Sequence, residues 1–135
     1  MSKQVTFILI DDDAISNMLS EIIIEDEFPD AQIISFTDPK QGIQFFESEF
    51  SESSINKTFL FLDINMPLMS GWEFLESLKE KKIEMKNNVF IYMLSSSVNL
   101  DDVKKAKLNP NVVDFLEKPL IDEFLKQLSE KHSFI

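Results

Sequence analysis

Five short apolar runs, each followed by a longer stretch of helical periodicity, restrict this chain to very few folds. The runs are Val5 to Ile10, Gln32 to Phe36, Phe59 to Leu62, Val89 to Leu94 and Val112 to Leu116. They are mostly unbroken rather than alternating, the pattern of strands buried on both faces of a parallel sheet. Between them Ile15, Met18, Leu19 and Ile22 recur at helical spacing, as do Ile43, Phe46 and Phe50, then Leu75 and Leu78, then Val103 and Ala106. A last helix carries Ile121, Phe124, Leu125 and Leu128. Asp38 followed by Pro39, with Gln41 reaching back, reads as one helix start, and Ser70 or Gly71 as another. The reading is an α/β fold of (βα)₅ type, a doubly wound parallel sheet. At 135 residues it is one domain, 1–135. The polar stretch Ser51 to Lys57 has loop length and marks no boundary.

Composition removes whole classes of function. There are 24 acidic against 13 basic residues, a formal net charge of −11, which repels nucleic acid phosphates and anionic membranes. Divalent cations and basic protein surfaces are the natural partners. With no Cys and one His, thiolate sites, Cys nucleophiles and His-rich metal sites are excluded. Two Gly are too few for a glycine-rich nucleotide loop. The run from Val5 to Ile10 is too short for a signal peptide or a membrane span, so a cytoplasmic location is expected.

Ligands of a doubly wound sheet bind at the carboxyl ends of the strands, beside the switch point in strand order. There the first strand ends in Asp11, Asp12 and Asp13, the third in Asp63 followed by Asn65, the fourth in Ser95 to Ser97, and the fifth in Lys118 and Pro119. Carboxylates gathered from two strand ends repel one another, and Mg²⁺ is the simplest relief. A phosphoryl group can then approach, with Lys118 as a point charge and Ser95 as a hydroxyl donor. Asp63, single at its strand end between Leu62 and Ile64, is the best candidate for a carboxylate nucleophile that forms an aspartyl phosphate.

With these residues the whole chain resembles the receiver domains of two-component response regulators. The matching elements are Ile-Asp-Asp-Asp at 10 to 13, Leu-Asp-Ile-Asn-Met-Pro-Leu-Met-Ser-Gly at 62 to 71, Leu-Ser-Ser at 94 to 96 and Phe-Leu-Glu-Lys-Pro-Leu at 115 to 120. Separations of 52, 32 and 23 residues between Asp11, Asp63, Ser95 and Lys118 suit the family's order. The resemblance implies the flavodoxin-like fold with strand order 2-1-3-4-5. It implies that Asp63 accepts phosphate from a sensor histidine kinase or histidine phosphotransfer protein. It further implies that Asp11, Asp12, Asp63 and the backbone carbonyl of Asn65 hold Mg²⁺, and that Lys118 contacts the phosphoryl group. Ser95 and Phe115 would form a switch pair that reshapes the face made by helix 4, strand 5 and helix 5 for a downstream protein. The bond before Pro119 would be cis, aiming Lys118 into the site. Such a module is not a turnover enzyme; it assists its own phosphorylation and hydrolyses the product slowly, since no general base is apparent. No output region follows Ile135, so the module is expected to act alone.

The sequence departs from the commonest family pattern at Ser95, where Thr is frequent, and at Phe115, where Tyr is frequent. It also has Asn109-Pro110-Asn111 where a Gly-Ala turn is usual, which bears on the shape of the fourth helix and its loop. Taken singly, an acidic triplet is a solvated turn, Lys118 a surface lysine and Ser95 to Ser97 a polar loop; the joint pattern gives them a role. Trp72 reads as helix surface and His132 as a solvent-exposed residue. The rival from another class is a haloacid-dehalogenase-type phosphohydrolase using Asp11 as nucleophile and Asp13 as acid. It lacks the expected Thr or Val at Ile15 and an acidic pair after Lys118.

Overall fold

The computed structural model describes residues 5–50, 56–83, 88–97 and 99–132, so residues 51–55 of the expected Ser51 to Lys57 loop lie outside the described residues. Ten elements alternate: β1 (Val5–Ile10), α1 (Ala14–Glu27), β2 (Gln32–Phe36), α2 (Pro39–Ser48), β3 (Lys57–Asp63), α3 (Gly71–Glu80), β4 (Val89–Ser95), α4 (Leu100–Leu108), β5 (Val112–Glu117) and α5 (Asp122–His132). The strands form one parallel sheet in the order β2-β1-β3-β4-β5. This is the (βα)₅ arrangement expected from the sequence. Among the described residues no helix is long and apolar enough to cross a membrane.

Strand residues alternate between two cores, which is why the runs are apolar throughout. Ile8, Ile10, Leu60, Leu62, Ile91 and Met93 face α2, α3 and α4 in a largely aliphatic core. Phe7, Leu9, Phe59, Phe61, Tyr92 and Leu94 face α1 and α5. Aromatic rings line that second side, with Phe7 stacked on Phe59 at 5.4 Å and on Phe28 at 5.7 Å. The register breaks once, between Ile91 and Tyr92, so that Val113 is the extra residue of a bulge in β5. Strict alternation from Val112 would put Phe115 on the α1/α5 side; the bulge returns it to the core that holds Val112 and Ala106.

Helix starts follow local chemistry. Asp13 caps α1 by accepting the amides of Ile15 and Ser16. Asp38 caps α2 through the amide of Lys40, with Pro39 in the first turn, rather than through a back-reaching Gln41. Ser70 and Glu73 form a reciprocal capping box on α3. The Asn-Pro-Asn segment closes α4 cleanly: Asn109 caps the helix, and its side chain accepts the Asn111 amide at 3.0 Å.

One orientation left open by the spacing is set by the structure, and one expectation changes. The periodic stripe Ile15, Met18, Leu19 and Ile22 marks α1 correctly but points to solvent, each residue 51–63% exposed. The buried side of α1 carries Asn17 and Ile24 instead. Periodicity reveals that a stripe exists and not which way it faces. His132 is not a free surface residue: its ring packs on Phe90 at 4.2 Å and its Nε2 lies 2.9 Å from the Tyr92 hydroxyl. Burial, with Lys131 and Lys57 nearby, holds its pKa below the usual value for histidine.

The end of α3 contains strained backbone. Lys82 donates its amide to Lys79 and Ile83 donates to Leu78, the paired bonds of a left-handed helix stop. Glycine normally occupies the left-handed position, yet Lys82 holds it with φ 59. Lys82→Gly should therefore raise stability by about 0.5–1 kcal/mol, the steric gain less the added chain entropy. Urea or thermal melts measure it, and a lower midpoint in the variant would contradict the assignment.

Candidate functional site

Register assembles the site. Ile10 pairs with Leu62, so Asp11 and Asp63, one residue further on, leave adjacent strands side by side. Asp63 pairs with Leu94, which puts Ser95 at the next strand end, opposite Glu117 of β5. The Lys118 amide donates to the Ser95 carbonyl at 2.8 Å, and the Lys118–Pro119 bond is cis. From there Lys118 Nζ reaches Asp11 Oδ2 at 2.5 Å and Asp63 Oδ1 at 3.4 Å. Asp12 is exposed at the mouth. Single carboxylate oxygens of Asp11, Asp12 and Asp63 all lie within 4.8 Å of one another. Three hard oxygen donors at that separation, from residues that would otherwise repel, suit a small divalent cation.

Asp13 takes no part in this cluster. Its side chain is committed to the α1 amides, and its own amide donates to Asp11 Oδ1 at 2.9 Å. A hydrolase that needs Asp13 as general acid loses that residue to helix capping. Ser95 is fully buried, and its hydroxyl donates to the Ser97 carbonyl at 2.7 Å while the Asn65 side-chain amide donates to it at 3.4 Å. Phe115 is partly buried against the core of α2, α3 and α4.

Burial raises the Asp63 pKa most, and the neighbouring Asp11 raises it further. Lys118 and a hydrogen bond from the Asn65 amide pull it back only in part, leaving it pushed up to about 6. Burial alone would lower Lys118, but its hydrogen bond to Asp11 and the two carboxylate charges outweigh that and hold it above its usual range.

The supporting roles of three residues gave no sequence signal. Asn17, buried on α1, donates its side-chain amide to the carbonyls of Asp11 (3.1 Å) and Phe36 (3.2 Å), pinning the β1 end against the end of β2. Gly71 starts α3 hard against β3: an added Cβ would lie 2.6 Å from the Asp63 carbonyl oxygen and 3.2 Å from Ile64 Cα. Trp72, read as plain helix surface, donates its indole N–H to Asp102 at 2.9 Å and so joins the starts of α3 and α4. A polar residue on a helix face, a glycine after a serine and a lone Trp are all common without such roles.

Comparisons with known proteins identify the relatives of this fold. The family model for the response regulator receiver domain matches residues 7–130. A two-component response regulator from Cytophaga hutchinsonii is 32% identical in sequence, with TM-score 0.82 and 96% of each chain covered. A response regulator receiver protein from Dyadobacter fermentans DSM 18053 shares the fold at 24% identity and TM-score 0.79, over 94% of this chain and 96% of that one. A cyclic di-GMP phosphodiesterase response regulator from Xanthomonas campestris pv. campestris (strain 8004) is 26% identical over 113 residues, 84% of this chain. The chain spans only 28% of that relative's length.

The raised pKa of Asp63 gives a signed prediction for the metal-free protein. The folded state holds the proton more tightly than the unfolded chain, where the value is near 3.8. Stability contributed by Asp63 is therefore lost as pH rises from about 4 to about 6. With EDTA present, Asp63→Asn should be more stable than wild type at pH 7, by on the order of 1 kcal/mol, and the two should converge near pH 4. Mg²⁺ should narrow the gap at pH 7 by binding the native wild type. Urea melts across this range decide it, and a pH-independent difference would overturn the electrostatic account.

Proposed function

The chain belongs to the response regulator receiver family, a family of signalling modules, and from that premise we propose that it is a phosphoacceptor in which Asp63 takes a phosphoryl group in a Mg²⁺-dependent reaction. The observation that carries the reading is the convergence of Asp11, Asp12 and Asp63 within 4.8 Å, with the Lys118 ammonium on the same rim.

The donor is a phosphohistidine on a sensor kinase or phosphotransfer protein. An Asp63 carboxylate oxygen attacks phosphorus, the P–N bond breaks, and the imidazole leaves and takes a proton from solvent, leaving an acyl phosphate. Asp11, Asp12 and Asp63, with the Asn65 carbonyl, are the groups that would hold the cation. When bound, Mg²⁺ offsets carboxylate charge and binds phosphoryl oxygens. Lys118, held between Asp11 and Asp63, turns its ammonium to the new phosphoryl oxygens. The Ser95 hydroxyl gives up the Ser97 carbonyl for the phosphoryl group, and the Phe115 ring moves further in behind it. That motion reshapes the face of α4, β5 and α5 by population shift, which is the output. Loss of the phosphate is slow, since the site as read from the described residues assigns no side chain the part of a general base toward water. The exposed stripe Ile15, Met18, Leu19 and Ile22 supports donor docking on α1, because it begins beside the acidic mouth.

Incubation with a small phosphodonor and Mg²⁺, read by intact mass, should add one phosphoryl group to the wild type and none to Asp63→Asn. Asp12→Asn should slow labelling about tenfold or more by weakening the metal. Labelling retained in Asp63→Asn would falsify the assignment, and labelling lost in Asp13→Asn alone would favour the hydrolase chemistry.

A further inference from the structure

On the aliphatic side of the sheet, α3 and α4 diverge to leave a groove of about 870 Å³ between them. Its apolar surface comes from Leu75, Leu78, Ile91 and Leu108, and Trp72 closes one end through its bond to Asp102. Leu108 is 83% exposed, so apolar surface lies open at the rim. The rim is basic: Lys79, Lys82 and Lys105 line it against a single acid, Glu76. None of the three lysines makes an ion pair among the described residues. In a chain of net charge −11, such a local surplus of cations departs from the whole.

Lys82 adds a second, independent observation. It occupies the left-handed helix-stop position that glycine fills with less strain, and its side chain lines this groove. Backbone strain retained where a simple substitution would relieve it points to use of the side chain.

We propose that the α3–α4 groove is a docking site for an acidic amphipathic helix of another protein, its apolar face on Leu75 and Leu108 and its carboxylates on Lys79, Lys82 and Lys105. A groove between two helices accepts a third helix by its apolar anchors, whereas an extended peptide would pair with the sheet edges, β2 or β5. A free polyanion would need the lysines but not the apolar floor. The surface lies away from Asp63 and its occupancy requires no phosphorylation, so it stands or falls apart from the acceptor chemistry.

Trp72 is the single tryptophan of the chain, so its fluorescence reports on the groove. The probe is a helix-forming peptide with Leu at i, i+3, i+4 and i+7 and Glu at the flanking positions. Titrated into the unphosphorylated, metal-free protein, it should shift Trp72 emission saturably and weaken as salt rises. Lys82→Gly, whose folding is checked by the same melts that test its stability, should weaken binding about threefold, and Lys79→Glu with Lys105→Glu about tenfold or more. The same peptide with its Leu residues scattered around the helix should bind far more weakly. Absence of a saturable shift, equal binding of the scattered peptide, or an unchanged affinity in Lys82→Gly would overturn the proposal. Self-association of the protein that the Lys82→Gly change abolishes would replace the foreign helix with a second copy and overturn it equally.

Discussion

Asp11 and Asp63 leave neighbouring parallel strands side by side, both nearly buried, and the rest of the rim is arranged around their mutual repulsion. In a medium of low dielectric two such carboxylates cannot both ionise cheaply. Lys118 relieves part of this by bridging both, yet burial and Asp11 still leave the Asp63 carboxyl pushed up to about 6. The remaining deficit is what a divalent cation would offset. Placing Lys118 depends in turn on the β5 end, tied to β4 by the Lys118 amide on the Ser95 carbonyl.

The strand-end residues were legible because a parallel sheet turns order along the chain into position along a rim. Once five apolar runs are read as parallel strands, the residues that follow them face one edge, and Asp11, Asp12, Asp63, Ser95 and Lys118 need no further information to be grouped. Orientation around a helix axis is different in kind. The α1 stripe has perfect helical spacing, and nothing in spacing distinguishes a stripe that faces the core from one that faces solvent. His132 shows the same gap: a terminal residue reads as exposed unless one knows that β4 presents Phe90 and Tyr92 beneath it. The Phe115 side was hidden for another reason, because a one-residue bulge reverses the alternation from which it would be inferred.

The chemistry at the rim is joined to the surface of the α3/α4 side by short rigid links. Gly71 lets α3 begin in contact with the Asp63 carbonyl, and its amide donates to Ile64 at 2.8 Å. Trp72, the next residue, is bonded to Asp102 near the start of α4, and α4 follows the loop that Ser95 organises through Ser97. A change at Ser95 therefore reaches α4 through its own loop, and a shift of the Asp63–Ile64 backbone reaches it through Gly71 and Trp72. Interfaces of this kind tend to hold one of two discrete packings rather than deform smoothly.

Asn17 explains why α1 shows its apolar stripe to water. If burial alone set the helix orientation, Ile15, Met18, Leu19 and Ile22 would turn to the sheet and Asn17 would turn out. Instead Asn17 donates to the carbonyls of Asp11 and Phe36, the second of which also accepts the Asp11 amide at 3.1 Å, so one side chain joins both strand ends. Turning the helix to bury the stripe would break both bonds and free the segment that carries Asp11. The position of the Asp11 carboxylate and the exposure of the stripe are thus one structural choice. Its consequence is an apolar surface adjoining an acidic mouth, which a partner carrying both an apolar helix face and a cationic or phosphorylated histidine could meet in a single approach.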